Sequence, residues 1–266
     1  MHDPLPPALR AALSRLDPRL ALATPTALAG GRTNRVWHLG DLVVKSYRAG
    51  AATALFPNDP AAEARALARF APLGLAPRLR AAGPDWLIYD HLPGPLWSGD
   101  PAPVAQTLHR LHSTPGVTGF RPLPNGTAAL RQDALRVAGG LALPPLPATP
   151  DLPPVPPRPV HADAVAGNLV LSPQCTVLID WQCPGLGDPA EDLATFLSPL
   201  MQHVYTGRVL DAHQRARFLA SYPDRATVTR FLALEPLYHW RLMAHCATRA
   251  AQGEADYAQA LRLALD

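Results

Sequence analysis

The run Leu42-Val43-Val44-Lys45-Ser46-Tyr47 reads as a strand, and its two-residue period sets Lys45 on one face with Val43 and Tyr47. Ala27 to His38 reads as its hairpin partner, with the turn at Gly40-Asp41. Trp86-Leu87-Ile88-Tyr89 is a further strand, closed by Pro93-Gly94. Pro60 to Phe70 has helical spacing, with Pro60 near its start. Glu63, Leu67 and Phe70 fall at i, i+4 and i+7, so a carboxylate shares the apolar face. An acid buried there needs a cation, because an unpaired buried charge costs several kcal/mol.

Beyond about residue 100 the spacing turns helical, over 101–113, 127–140, 189–203, 211–221 and 226–264, the last with a break near Gly253. The segment 144–159 holds nine prolines in sixteen residues and is expected to run as extended polyproline II. It is a semi-rigid connector and not a domain boundary, because the chain beyond it is too short to fold alone. The pattern predicts an α+β protein of two lobes. A small β-sheet lobe with one key helix covers 1–92, and a larger, mostly α-helical lobe covers 93–266. A ligand cleft is expected between them.

Composition narrows the class. With 48% hydrophobic and 17% charged residues the 266-residue chain is a folded globule. It has no apolar run of the roughly 18 residues a membrane span needs, and Met1-His2-Asp3-Pro4 lacks the layout of a signal peptide. A soluble, cytoplasmic protein with no membrane partner is expected. The net charge of +3 comes from scattered arginines, which gives no basic patch for nucleic acid. Cys175, Cys183 and Cys246 have no metal-like spacing and read as reduced thiols. A monomer and a homodimer are equally compatible with these features. Lys45 is the one lysine against twenty-three arginines. In that background it marks a place where a compact ammonium is required and a wide guanidinium fork does not fit, as in gripping a phosphate.

The chemistry concentrates after the proline run. His161-Ala-Asp163 with Asn168 five residues on, then Ile179-Asp180-Trp181, is an oxygen-ligand arrangement. Asn168 and Asp180 suit Mg²⁺, which takes one or two protein carboxylates and completes its shell with phosphate and water. Asp163 is left to accept a proton from a hydroxyl nucleophile.

This combination, followed by Gly187-Asp188-Pro189-x-x-Asp192-Leu193-Ala194, resembles the catalytic and metal loops of the aminoglycoside phosphotransferase and choline kinase superfamily. That superfamily has a protein-kinase-like fold, and the likeness is closest to its choline and thiamine kinase branch. The catalytic loop departs from the usual pattern in carrying the small Ala164, and Ala166 near a usual proline, without losing a functional oxygen. The resemblance implies an ATP-dependent kinase acting on the hydroxyl of a small molecule, with choline-, ethanolamine- or thiamine-like alcohols favoured. It makes Gly30, Gly31, Thr33 and Asn34 the nucleotide-phosphate loop, where glycines let the backbone approach phosphate. Lys45 becomes the α/β-phosphate lysine, Glu63 its partner, and Ile88, Tyr89 and Asp90 the connector meeting adenine through backbone. Asp192 is expected to brace the catalytic loop, and His161 to play a structural part. Asp188 begins a helix, with the metal site a second place it could face, while His109, His112, His239 and His245 read as packing.

A cationic acceptor calls for an aromatic cage, for which Trp181, Tyr238 and Trp240 are the candidates. An aminoglycoside or amino sugar is the alternative acceptor, although Asp211, Asp224 and Glu235 are too dispersed for a broad acidic pocket. A non-catalytic nucleotide-binding module is the alternative of another class. It should lack the lysine, the base or a metal ligand, and here every one of those positions is filled.

Overall fold

Two stretches of short-range pattern account for most of the N-terminal architecture. In the computed structural model, which describes residues 5–28, 33–172 and 175–265, β1 (Thr26–Ala27), β2 (Arg35–Leu39), β3 (Leu42–Ser46), β4 (Leu79–Ala82) and β5 (Trp86–Asp90) form one antiparallel sheet in the order β1-β2-β3-β5-β4. Alternation sorts the side chains. Trp37, Leu39, Val44, Trp86 and Ile88 point to one face, where they pack with Leu5, Leu9 and Leu13. Val43, Leu87 and Tyr89 point to the other face and join the main core with Leu67 and Phe70. The first face is covered by α1 (Pro7–Leu16), which continues into the short α2 (Pro18–Leu22); the second is covered by α3 (Pro60–Phe70). Asp59 caps α3 by accepting from the Ala62 N–H at 2.9 Å, and Pro60 takes the first turn, where its missing N–H costs nothing.

The strand expected over 27–38 is corrected: β1 and β2 are separate strands that pair with each other, Thr26 opposite His38. Helices α1 and α2 add to the single helix expected in this region. Their signal is Leu5, Leu9 and Leu13 at four-residue spacing around Pro7.

The rest is mostly helical: α4 (Ala102–His112), α5 (Thr127–Ala138), α6 (Ala190–Leu197), α7 (Pro199–Thr206), α8 (Ala212–Ser221), α9 (Arg225–Ala251) and α10 (Ala255–Leu265). The helix expected over 189–203 is two helices. Ser198 leaves helical geometry at ψ 121° and caps α7, whose first residue is Pro199. Short strands punctuate the helices: β6 (Arg121–Pro122) between α4 and α5, and between α5 and α6 β7 (Arg158–Val160), the hairpin β8 (Leu169–Leu171) and β9 (Thr176–Leu178), and β10 (Gly185–Gly187). β10 lies between β6 and β7.

The proline-rich segment is extended and tied along its length. Trp240 donates to Pro144 O at 2.8 Å, Thr127 Oγ1 to Pro150 O at 2.7 Å, and Asn125 Nδ2 to Val155 O at 2.7 Å. These anchors deliver β7, and with it the loop from His161 to Asn168, at a fixed place. The three cysteines are free, and among the described residues no helix is long and apolar enough to cross a membrane.

His245, on α9, is buried with its ring edge-on to Phe56 at 4.8 Å and to Tyr257 at 5.6 Å. Burial, helped by Arg249 and Arg241, pushes its pKa down to about 3. A folded value below the unfolded one means that the unfolded chain takes up the proton first. The stabilisation is therefore whole above about pH 6.5 and is lost as pH falls toward 3, by up to about 1.4 kcal/mol per pH unit. Urea denaturation from pH 7 to pH 4.5 should show stability falling less steeply in His245→Leu than in wild type; parallel curves would remove His245 as a source of acid lability.

Candidate active site

Lys45 and Glu63 meet because β3 and α3 turn their inward faces to each other. The Lys45 ammonium donates to Glu63 Oε2 at 2.6 Å and to Asp180 Oδ1 at 2.5 Å. Only 1% of Lys45 and none of Glu63 is exposed. Tyr47, on the same face of the chain, donates its hydroxyl to Glu63 Oε2. Burial alone would push the lysine pKa down, but the carboxylates of Asp180 and Glu63 outweigh it and hold the ammonium charged. For Glu63 the order reverses: burial pushes its carboxyl up, and Lys45 pulls against it.

Asp163, Asn168 and Asp180 come together from the loop between β7 and β8 and from the end of β9. Asn168 Nδ2 donates to Asp163 Oδ2 and to Asp163 O, each at 3.0 Å. The Ile179 N–H donates to Asn168 O at 2.9 Å, which locks the two segments in register. Asp163 is 5% exposed and its pKa is pushed up to about 8, first by burial and next by the charge of Asp180, against the Asn168 amide and Lys45. Such a carboxylate is a stronger base than an exposed one.

Among the described residues, two other than glycine have positive φ, Ala162 at 64° and Asp180 at 60°. Side chains other than glycine's pay for that left-handed geometry in local strain, so the surrounding structure must impose it. At Ala162 it does. Asp192, fully buried on α6, accepts from the His161 N–H at 2.9 Å and the Ala162 N–H at 2.8 Å. His112 Nε2 lies 3.0 Å from the same carboxylate, and its other ring nitrogen lies 2.7 Å from the Tyr222 hydroxyl. His112, read in the sequence as packing, is thus part of the brace. Buried His161 donates Nε2–H to Ile179 O at 3.0 Å and accepts from the Asp163 N–H at 3.3 Å, which fixes it as a neutral structural residue.

The donor set fits a hard divalent cation. Asn168 spends its amide nitrogen on Asp163 and Asp180 spends Oδ1 on Lys45, which leaves Asn168 Oδ1 and Asp180 Oδ2 uncommitted among the described residues. A buried ammonium, two uncommitted metal-type oxygens and a buried carboxylate base are the parts that phosphoryl transfer uses.

A sequence model of the phosphotransferase enzyme family matches residues 24–231. The chain belongs to that family. A thiamine kinase of Shigella boydii is 34% identical over 152 residues, which is 52% of this chain and 55% of that protein. The same identity and coverage hold for thiamine kinases of Escherichia coli. The chain thus matches about half the length of these curated relatives. The fold is similar to that of a choline/ethanolamine kinase family protein from Mesorhizobium loti, at a TM-score of 0.69, 21% identity and coverage of 95% of this chain and 90% of that one. Choline kinase LicA from Streptococcus pneumoniae has a TM-score of 0.62 at 16% identity, over 97% and 96% of the two chains. The streptomycin–ATP–APH(2″)-IIa ternary complex gives 0.62 at 13% identity, over 97% of each. The α+β architecture, with an antiparallel N-terminal sheet and a helical C-terminal part, is that of protein-kinase-like phosphotransferases.

Within this family member the remaining sequence expectations sort by geometry. Gly30 and Gly31 lie outside the described residues. Thr33 is half-buried, and Asn34 is buried in a cluster of side-chain amides. The backbone of Ile88 and Tyr89 is flanked on both edges, by Val44 and Val43 of β3 and by Ala81 and Leu79 of β4. Asp90 N donates to Arg78 O at 2.9 Å and the Asp90 side chain pairs with Arg80, so the N–H of Asp90 is also taken.

An open aromatic cage is also corrected. Trp181 is 0% exposed, stacked on Phe70 at 4.7 Å, with its indole N–H bonded to Leu178 O. Tyr238 is 1% exposed beneath Arg241, and Trp240 is buried against Pro144. Aromatic type was legible in the sequence, but burial on every side is a product of packing. Asp188 accepts from the Ala190 N–H at 3.0 Å and pairs with Arg230 at 2.5 Å, so both oxygens serve structure. Asp211 and Asp224 cap α8 and α9, and Glu235 pairs with Arg215 at 2.6 Å.

Asp192→Ala should strip both braced N–H groups of their acceptor. The expected loss is about 3 kcal/mol of stability, measured by denaturation, with Asp192→Asn intermediate. Equal stability of Asp192→Ala and wild type would show that the loop is held by other contacts.

Proposed function

We propose that this protein is an ATP-dependent kinase that phosphorylates the hydroxyl group of a small molecule, with thiamine-, choline- and ethanolamine-like alcohols the favoured acceptors. The observation that carries the reading is Lys45, buried between Glu63 and Asp180 and within the electrostatic reach of Asp163. The thiamine kinases at 34% identity support the acceptor class, and the ATP complex of APH(2″)-IIa supports the donor. An aminoglycoside or amino-sugar acceptor is less supported, because Asp211, Asp224 and Glu235 are committed to helix caps and an ion pair. A non-catalytic module is less supported too, since lysine, base and metal-type oxygens are all present.

In this reading Lys45 exchanges Asp180 for the α/β-phosphates, and Glu63 and Tyr47 keep its stem oriented. Asn168 Oδ1 and Asp180 Oδ2 would hold Mg²⁺, whose charge would offset that of the β- and γ-phosphates. Asp163 accepts the acceptor's hydroxyl proton as that oxygen attacks the γ-phosphorus. The bond from γ-phosphorus to the bridging oxygen breaks, ADP leaves, and the proton stays on Asp163. Most of the rate comes from positioning and charge neutralisation.

An ADP-release screen over thiamine, choline, ethanolamine, amino sugars and aminoglycosides tests this directly. Stimulation by one acceptor, abolished in Asp163→Ala and Asp180→Ala, is the expected result. ATP binding without stimulation by any hydroxyl compound would favour the module. Lys45→Arg should keep the fold and charge yet lose most activity, because the wider planar guanidinium spreads the charge and cannot present it to phosphate as the compact ammonium does. Near-normal turnover by Lys45→Arg would refute the ammonium requirement.

A further inference from the structure

The contact between the sheet and the Asp180 segment does not rest on the ion pair alone. Asn34, at the head of β2 and 4% exposed, uses its whole amide. Its nitrogen donates to Asn58 Oδ1 at 2.8 Å and to Gln182 Oε1 at 3.1 Å. Its oxygen accepts from Asn58 Nδ2 at 2.9 Å and from the Arg48 N–H at 3.1 Å. Gln182, also 4% exposed, stands two residues after Asp180, and its own carbonyl accepts from the Asp59 N–H at 3.1 Å. Asp59 caps the helix that carries Glu63. One glutamine thus ties the Asp180 segment both to the β2 strand and to the N-terminus of α3.

We infer that the Asn34–Asn58–Gln182 amide cluster is an interlobe clasp, which keeps Asp180 in register with Lys45 and makes Asn34 and Gln182 positioning residues instead of phosphate ligands. The physical need comes from the proposed function, on which this inference rests. The Lys45–Asp180 pair must open when phosphate takes the ammonium and a cation takes the carboxylate. A contact that uses neither group has to hold the halves together through that exchange. Neutral amides suit the task. They are specific in geometry, carry no charge to compete with phosphate or metal, and cost little to bury once every donor and acceptor is paired. The Asn34 side chain has no N–H left for a phosphate oxygen, which is why the clasp reading takes that side chain out of the nucleotide loop.

The test is calorimetric binding of Mg·ATP, which needs no acceptor, to wild type, Asn34→Ala, Gln182→Met and the double variant. Gln182→Met keeps the volume and removes the side-chain amide, with it the oxygen that accepts from Asn34. Each single change should weaken binding about tenfold, the scale of one buried hydrogen-bonded contact. The double variant should be no worse than the worse single, as expected of two ends of one contact. Thr107→Val, which deletes a buried hydrogen bond to Thr176 O away from the site, should lower thermal stability without changing Mg·ATP affinity. Wild-type affinity in Gln182→Met, or additive losses in the double variant, would overturn the clasp.

Hydrogen exchange of the free protein separates this from the wider reading. Gln182→Met should raise exchange both around Ile179–Cys183 and across β3 and the start of α3, and Thr107→Val should not. A wild type that binds no Mg·ATP would defeat the kinase reading. Exchange confined to the substituted segment would defeat the clasp.

Discussion

The whole arrangement depends on one buried ammonium. Lys45 lies in the interior strand β3, 1% exposed, where a lone cation would be driven to lose its proton. It stays charged because Glu63 from α3 and Asp180 from beyond β9 reach it together. Those three residues belong to three elements, and the position of each is fixed by other contacts: alternation in β3, the capped first turn of α3, and the register of Asn168 with Ile179. Burying a carboxylate and an ammonium, with a second, partly exposed carboxylate against them, is a poor way to gain stability, since desolvation takes back most of the attraction. The arrangement makes sense as a site and not as a staple.

The catalytic loop shows the complementary principle. Ala162 and Asp180 hold left-handed backbone geometry that their side chains disfavour, and each flanks or carries a functional oxygen. Strain of this kind persists only where surrounding contacts over-determine it. For Ala162 the determinant is the buried Asp192 carboxylate, itself oriented by His112 and, through it, by Tyr222 on the far side of the helical half. The loop is therefore set by a relay that runs from α8's end to α4, to α6 and then to Asp163. Its residues are spread over more than a hundred positions of sequence.

That spread explains what could and could not be read from the chain. Lys45 with Glu63 was legible because a carboxylate on an apolar helix face demands a cation, and the chain has a single lysine on a facing strand. Asp163, Asn168 and Asp180 were legible because their spacing carries the chemistry, and Asp192 because it falls within the same motif. Gln182 and Asn58 left no trace, since an amide is at home on any surface and only the folded chain brings these two to Asn34. Trp181, Tyr238 and Trp240 misled for the same reason. An aromatic side chain reads alike in a ligand cage and in a core, and exposure is decided by neighbours such as Phe70 and Pro144, remote in sequence. Ile88 and Tyr89 were placed on the right strand, but β4, with its weak Leu-Arg-Ala-Ala signal, closes the edge that would have been free.

The charge balance of the site gives these pieces a common direction. Buried Glu63 and Asp163 and the partly exposed Asp180 stand around a single ammonium, so carboxylates outnumber the cation. The excess is visible at Asp163, whose proton affinity rises through burial and the neighbouring charge of Asp180. A divalent cation between Asn168 and Asp180 would remove that excess, and an incoming polyphosphate would take up the lysine that Asp180 releases. Neither partner is well accommodated alone: phosphate without the cation faces the carboxylates, and the cation without phosphate leaves Lys45 unpaired on one side. The electrostatics of the free protein therefore favour the two arriving as one complex, which is the form in which a nucleoside triphosphate and its metal meet a kinase.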